Sequence, residues 1–256
     1  MCLIAWNWQP HSKSLLLLAN RDEFYARPAL PLHWWPDGKV LAGQDLQAGG
    51  TWLGVSRSGR LAALTNYRLP VNDPAVKPSR GGLVADFLQS EIDAADYLGR
   101  LAEQADRYNP FNLLLFDGQQ LMGLESGSRR VLSLAPGIGA VTNADFNTPW
   151  PKLERLQSGL RQHCLEERTS IAELLPLLQD RSVASDTALP RTGVPLELER
   201  MLSSTWMASA AYGTRASSIV ALKNQQLTFF EQGYAARGAL GPTQQIFTLS
   251  QTRPRT

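Results

Sequence analysis

Apolar and polar positions alternate from the first residues of the chain. Cys2, Ile4, Trp6 and Trp8 fall on one face and Leu3, Ala5 and Asn7 on the other, a period of two that predicts a strand over residues 2–8. Gln9-Pro10-His11-Ser12 turns the chain, and residues 15–20 return as a second strand. The next segment, Arg21-Asp22-Glu23-Phe24-Tyr25-Ala26-Arg27-Pro28, is charged and bounded by proline, and is expected to be a loop. Residues 49–55 lead to a turn at Arg57-Ser58-Gly59, and residues 60–65 complete that hairpin with Asn66-Tyr67 at its end. Apolar residues recurring at helical spacing predict helices over 82–89 and 94–108. Strands resume over 111–116, 121–125 and 131–134, with turns at Asp117-Gly118 and Ser126-Gly127. A helical block covers 150–167 and 171–179, residues 182–195 are polar and loop-like, and a short helix is expected over 196–202. Residues 216–223 and 227–231 form a closing hairpin around Asn224-Gln225-Gln226.

Strands thus come first, helices occupy the middle, and strands return at the end. That order suits a layered α+β protein built on mainly antiparallel sheets. No Pro/Gly linker divides the chain and no internal repeat is visible, so residues 1–256 are expected to form one domain.

Composition narrows the function classes without choosing among them. The chain is 43% hydrophobic and 19% charged with a net charge of +2, which describes an ordinary globular protein and gives no footprint for nucleic acid. Its arginine pairs, Arg129-Arg130 and Arg253 with Arg255, are too sparse for one. No stretch approaches the ~20 apolar residues of a membrane span. The start lacks a secretory signal, so a cytoplasmic location is expected. The two cysteines, Cys2 and Cys164, are not expected to be bridged in a reducing compartment. His163 and Cys164 are neighbours on a predicted helix and diverge, and no CxxC or HExxH is present, so no metal is expected.

The candidate chemistry begins at Cys2. A methionine followed by a small residue is normally trimmed, which would leave Cys2 with a free α-amine beside its thiol. An α-amine titrates near ~7.7–8.0 and a thiol near ~8.5, so the amine can accept the thiol proton close to neutral pH. This is the N-terminal-nucleophile arrangement. The alternative is a small apolar core residue. The predicted hairpin brings residues 20–22 beside residues 2–4, where an arginine and a carboxylate either orient the amine and thiol or form a surface ion pair. Asn66 and Asn143 are candidates for binding a developing oxyanion, or else turn formers or caps. Arg215 precedes a strand and either binds an anionic group or makes a salt bridge. Trp6, Trp8, Trp34, Trp35, Trp52 and Trp206 line a pocket or fill the core.

Together, Met1-Cys2, Asn20-Arg21-Asp22-Glu23, Gly49-Gly50-Thr51-Trp52-Leu53-Gly54 and Leu64-Thr65-Asn66-Tyr67 resemble the motifs of the NRDE family, the proteins related to Transport and Golgi organization protein 2. Ser79-Arg80-Gly81, Tyr108-Asn109-Pro110-Phe111-Asn112-Leu113, Thr142-Asn143 and Tyr212-Gly213-Thr214-Arg215 extend the likeness over almost the whole chain. The resemblance implies a four-layer αββα sandwich of two mainly antiparallel sheets, the N-terminal-nucleophile hydrolase fold. More distantly, the motif order is similar to bile-salt hydrolases and penicillin V acylases. By that likeness Cys2 is the nucleophile, Arg21 and Asp22 position amine and thiol, Asn66 supplies the oxyanion hole, and Asn143 holds the amine or the tetrahedral intermediate. Substrate binding then falls to Asn20, Glu23, Trp52, Tyr67, Arg80 and Arg215. One departure stands out: those enzymes space the arginine and aspartate three apart, whereas Arg21 and Asp22 are adjacent. Adjacent strand residues face opposite ways, so Asn20 and Asp22 form an alternative pair.

The resemblance implies an amide hydrolase acting on a small non-peptide C–N bond after loss of Met1, with no cofactor. The same family is linked to haem mobilisation and to lipid or acyl-CoA homeostasis. The alternative is therefore a non-catalytic carrier, holding haem or a lipid by apolar walls and by Arg21, Arg80 or Arg215.

Overall fold

The computed structural model describes residues 2–68 and 77–250; Met1, Arg253 and Arg255 lie outside the described residues. Strand β1 (Cys2–Gln9) turns through a short 3-10 segment at Pro10–Ser12 into β2 (Ser14–Phe24). The register sets Cys2 opposite Arg21 and Trp8 opposite Leu15. β2 does not stop at Asn20 as its polar sequence suggests. Its charged end continues as strand because β11 (Tyr212–Lys223) pairs alongside it, with Asp22 opposite Thr214 and Phe24 opposite Tyr212. A long-range backbone partner therefore overrides the local loop signal.

Among the described residues two antiparallel sheets form. The first has six strands in the order β10 (Gly137–Val141), β1, β2, β11, β12 (Gln226–Ala235) and β13 (Gly238–Thr248). The second is a seven-stranded meander: β3 (Ala29–Trp34), β4 (Val40–Asp45), β5 (Leu53–Ser56), β6 (Leu61–Asn66), β7 (Phe111–Phe116), β8 (Leu121–Glu125) and β9 (Arg130–Ser133). Strands β3, β4, β10 and β13 were not marked by an alternating pattern of their own. β13 runs along the sheet edge, where its Pro242 and polar residues are tolerated.

The helices α1 (Gly81–Gln89) and α2 (Ala94–Glu103) pack on the outer face of the second sheet through Leu83, Val84, Phe87 and Leu98. Helices α3 (Pro151–Leu165) and α4 (Ile171–Leu178) cover the first through Leu153, Leu156, Leu160 and Leu174. A fifth helix, α5 (Leu196–Leu202), follows. α2 ends at Glu103, short of Tyr108, and a 3-10 turn at Ala105–Arg107 completes the connection. The result is the four-layer αββα sandwich.

Between the sheets Ile4, Trp6 and Trp8 of β1 meet Leu53, Val55 and Phe116 of the second sheet. On the other side of β1, Leu3 and Ala5 pack under α3. Alternation along β1 therefore separates two buried layers rather than core from solvent, and each fully buried large side chain contributes roughly 1.5–3 kcal/mol. Four of the tryptophans expected to line a pocket or core, Trp6, Trp8, Trp34 and Trp35, pack into these layers.

Candidate active site

A cavity of about 490 Å³ opens between the sheets where β1 begins, a size suited to a small-molecule ligand. Cys2, Arg21, Glu23, Trp52, Asn66 and Arg80 all contribute to its wall. Cys2 is only 6% exposed, and burial pushes its thiol up, with Asp22 and Glu23 adding to the effect and Arg21 opposing it. Paired in register with Cys2, Arg21 shares its face of the sheet. Of the adjacent pair it is therefore the arginine, not the aspartate, that shares the thiol's face.

Arg21 belongs to a charged lattice that the cavity shares with solvent. It lies 3.5 Å from Asp45 and 3.9 Å from Glu23, while Arg27 reaches Asp45 at 2.6 Å and Glu23 at 3.9 Å. Burial works against charge on Asp45, but hydrogen bonds from Arg27 and the Ala48 and Gln47 amides outweigh it and hold the carboxyl below the usual range. Two guanidiniums against two carboxylates leave the lattice neutral as a whole and restrain the Arg21 guanidinium near the thiol.

Two of the glycine-bearing motifs meet at the opposite wall. Gly49 has φ +78°, and a Cβ on Gly50 would lie 2.3 Å from the backbone carbon of Gly81. Only glycine lets these backbones touch, and the contact is closed by the Thr51 N–H donating to the Gly81 carbonyl at 3.2 Å. That junction sets Arg80 at the start of α1, beside the cavity. Its guanidinium donates to the Pro110 carbonyl at 3.1 Å; burial lowers its pKa while the nearby Cys2 works in the other direction. Asn66, ending β6, is held from behind: Asn143 Nδ2 donates to its backbone carbonyl at 2.8 Å, and the Thr142 hydroxyl donates to the Cys2 carbonyl at 3.1 Å.

Several expected positions fall elsewhere. Asn20 is fully buried on the face of β2 turned away from Cys2, donating to the carbonyls of Leu178 and Thr205 and accepting from the Ser217 hydroxyl. It braces α4 against the sheet and does not meet the cavity, because strand parity separates it from Arg21. Asp22 shares that parity and accepts from the Thr214 hydroxyl at 2.8 Å, yet at the strand end it still borders the cavity. Asn143 spends its amide on Asn66 rather than on the nucleophile, and is not part of the cavity wall. Tyr67 turns to Asp145, which together with burial pushes its phenol up. Arg215 borders the cavity, but its guanidinium donates to the carbonyls of Phe24, Tyr25, Arg27 and Tyr234. It sits at a bulge between Thr214 and Ala216, which aims it over the end of β2. Trp206 packs edge-on against Tyr234. The 182–195 segment is tied through Thr192 to Glu199 and contributes nothing to the cavity wall.

Other site residues carried no local sequence signal. Asp45 and Arg27 are joined only by pairing of β3 and β4. Glu231, on β12, reaches the cavity and accepts from the Leu32 N–H at 2.8 Å, while burial holds its carboxyl above the ordinary range. Lys152, in the first turn of α3, is buried and its Nζ has no hydrogen-bond partner. Among the described residues no group of His, Cys, Asp and Glu is arranged to hold a metal ion, and no helix is long and apolar enough to cross a membrane.

Known proteins share this sequence and architecture. A family model described as Transport and Golgi organisation 2 matches residues 1–236. The Bos taurus Transport and Golgi organization protein 2 homolog is 36% identical over 258 residues, covering 91% of this chain and 92% of that protein. The Homo sapiens homolog is 34% identical over 257 residues with the same coverage, and the Drosophila melanogaster protein 26% identical over 263 residues, covering 90% of each. Among solved structures, the Clostridium perfringens conjugated bile acid hydrolase C2A mutant aligns over 100% of both chains with a TM-score of 0.51 and 12% identity. The Caenorhabditis elegans ortholog of N-acylethanolamine-hydrolyzing acid amidase aligns over 82% of this chain and 100% of its own, with a TM-score of 0.50 and 11% identity. At such identities the likeness shows a shared N-terminal-nucleophile hydrolase-like fold.

Proposed function

The chain belongs to the Transport and Golgi organisation 2 family, and from that membership and the surroundings of Cys2 we propose that it hydrolyses the C–N bond of a small non-peptide amide. The observation that carries the reading is the Cys2 thiol at the wall of the cavity, with Arg21 directly across the strand pair. Burial keeps the resting thiol protonated, so attack requires a base, and the α-amine created by loss of Met1 is on the same residue. The amine takes the thiol proton as Sγ adds to the amide carbonyl. The Asn66 side-chain amide supports the resulting oxyanion, a contribution typically worth ~10²–10³ in rate. The intermediate collapses by breaking the C–N bond, and the α-ammonium returns its proton to the departing amine. Water then attacks the thioester, again with the amine as base, releasing the acid and restoring the thiol. Arg21 and Arg80 draw negative charge toward Sγ during the first step.

The two structural neighbours are themselves named as hydrolases, one of N-acylethanolamines and one of conjugated bile acids. Intact-mass spectrometry with an acylating thiol probe tests the reading. A chain lacking Met1, acylated at Cys2 and losing that label with time, is expected; Cys2→Ala should fold and take no label. A retained Met1 with an unmodified Cys2 would end the hydrolase reading and leave haem or lipid carriage, for which ligand retention by Cys2→Ala is the corresponding measurement.

A further inference from the structure

Across the sheet from Cys2, the cavity wall holds a carboxyl group that the reaction above does not use. Glu231 lies on β12, three strands from β1, so roughly 14 Å of sheet separates it from Cys2. Parity fixes its direction: Phe229 and Leu227, two and four residues before it, pack between the sheets, and Glu231 points the same way. There it is 6% exposed and forms part of the cavity wall. One oxygen is committed to the fold. β3 breaks register between Leu30 and His33, and Glu231 Oε1 accepts the Leu32 N–H from the facing sheet at 2.8 Å. The other oxygen, Oε2, has no hydrogen-bond or ion-pair partner among the described residues. It lies beside Gly43 of β4, another wall residue, where an added Cβ would be 3.8 Å away. Backbone of Leu30 and Pro31 meets the same point, and both residues, with Leu240 of β13, give the wall apolar surface.

Accepting from Leu32 needs only an amide oxygen, which glutamine supplies; a carboxyl buried this deeply carries a desolvation cost that a bracket between sheets does not repay. We propose that Glu231 is a specificity-determining residue that holds a primary ammonium at the end of an apolar chain, making the substrate an amide with a cationic tail. That the ligand is an amide rests on the hydrolase reading; recognition of an alkylammonium does not. The charged groups that bear on Glu231 are Arg21 of β2, in the same wall, and His33, next to Leu32, and neither forms an ion pair with it. Burial outweighs them and raises the carboxyl, so without a cation at Oε2 it tends to keep its proton. An ammonium at Oε2 favours the ionised form, the proton leaves to solvent, and a charge-assisted hydrogen bond forms beside apolar surface. A chain ending in methyl leaves Oε2 unpaired and gains none of this. The strand spacing sets the length: roughly 14 Å, less the reach of the two contacts, fits about seven methylenes between carbonyl and ammonium.

The test is isothermal calorimetry of the full chain at about pH 8 with 8-aminooctanamide and octanamide as probes, since an alkylammonium is still charged there. Wild type should bind 8-aminooctanamide about tenfold or more tightly than octanamide. Glu231→Gln keeps an oxygen for the Leu32 N–H and loses the charge; it should melt near wild type and bind the two probes within about threefold of each other. Equal binding of both probes by wild type, no binding of either at about 10 mM, or a tenfold preference retained by folded Glu231→Gln would each overturn the proposal. A carboxyl that only brackets the sheets gives the first of these results. If Glu231→Gln does not fold, wild type is titrated from about pH 8 to pH 5: the preference should fall as Glu231 takes up its proton, and a constant preference overturns the proposal. Cys2→Ala should show the same preference. Release of ammonia from 8-aminooctanamide by wild type, absent in Cys2→Ala, reports separately on the hydrolase reading, and its failure leaves the calorimetric preference to judge Glu231.

Discussion

The burial of Lys152 should be visible in the stability of the whole protein. Its ammonium is 1% exposed and titrates at about 8 instead of the ordinary 10.5, with burial as the larger cause and the attraction of Asp22 only partly offsetting it. In the unfolded chain the proton stays on until pH rises past 10.5. Between about pH 8 and 10.5 the unfolded state therefore binds more protons than the folded one, and wild-type stability rises with pH across that window. Below pH 8 both states are protonated and the cost of burying the charge is present in full. Each pKa unit corresponds to ~1.4 kcal/mol, so the cost is about 3 kcal/mol. Lys152→Met keeps a chain of similar length and removes the charge. Urea denaturation of both proteins, repeated from about pH 7 to pH 10, should find the methionine variant more stable by about 3 kcal/mol at neutral pH, with the gap closing as pH rises. Taking the difference between the two proteins cancels the titrating groups that do not interact with Lys152. A gap that does not change with pH, or a methionine variant less stable than wild type at pH 7, would refute the reasoning.

Three further outcomes follow from the packing of the site. Gly50→Ala would drive a Cβ into the Gly81 backbone at 2.3 Å, which no side-chain rotation relieves; a loss of roughly 3 kcal/mol in urea denaturation is expected, with weaker binding of any cavity ligand. Asn20→Ala leaves the Leu178 and Thr205 carbonyls and the Ser217 hydroxyl without their buried partner, and should cost roughly 3–5 kcal/mol by the same assay while leaving the Cys2 alkylation midpoint in place. Arg215→Lys cannot span the carbonyls of Phe24, Tyr25 and Arg27, and hydrogen exchange at residues 24–27 should accelerate about tenfold; unchanged exchange there would show that the clamp is idle.

Cys2 itself shows why neither position nor exposure identifies a nucleophile. Its thiol is buried and shifted toward the neutral form, the condition of an inert core cysteine. What separates it from Cys164, which sits on α3 and accepts from the Asn7 amide at 3.3 Å, is the company on its face of the sheet: Arg21 in register, Arg80 across the cavity, and Asn66 fixed by Asn143.

Much of this architecture was legible in the chain because it is written in local periodicities. The period of two in residues 2–8, the helical spacing in 82–89 and 150–167, and the motif series implied the αββα sandwich, and the hairpin length put residues 20–22 beside residues 2–4. The limits of that reading are equally physical. β2 runs on through Arg21-Asp22-Glu23 only because β11 supplies its hydrogen-bond partners from nearly two hundred residues away. β13 forms as an edge strand on β12, with no alternation to mark it. Side-chain roles were decided later still. Parity told that Asn20 and Asp22 face one way and Arg21 the other, but not which face held the cavity, and so Asn20 was expected to bind substrate where it braces α4. Lys152 and Glu231 were invisible, since a lysine in a helix and a glutamate in a strand look solvated until tertiary packing buries them. Sequence determined which elements form and which residues neighbour one another along a hairpin. Burial, which sets charge and proton affinity, belongs to the layers that only the folded chain brings together.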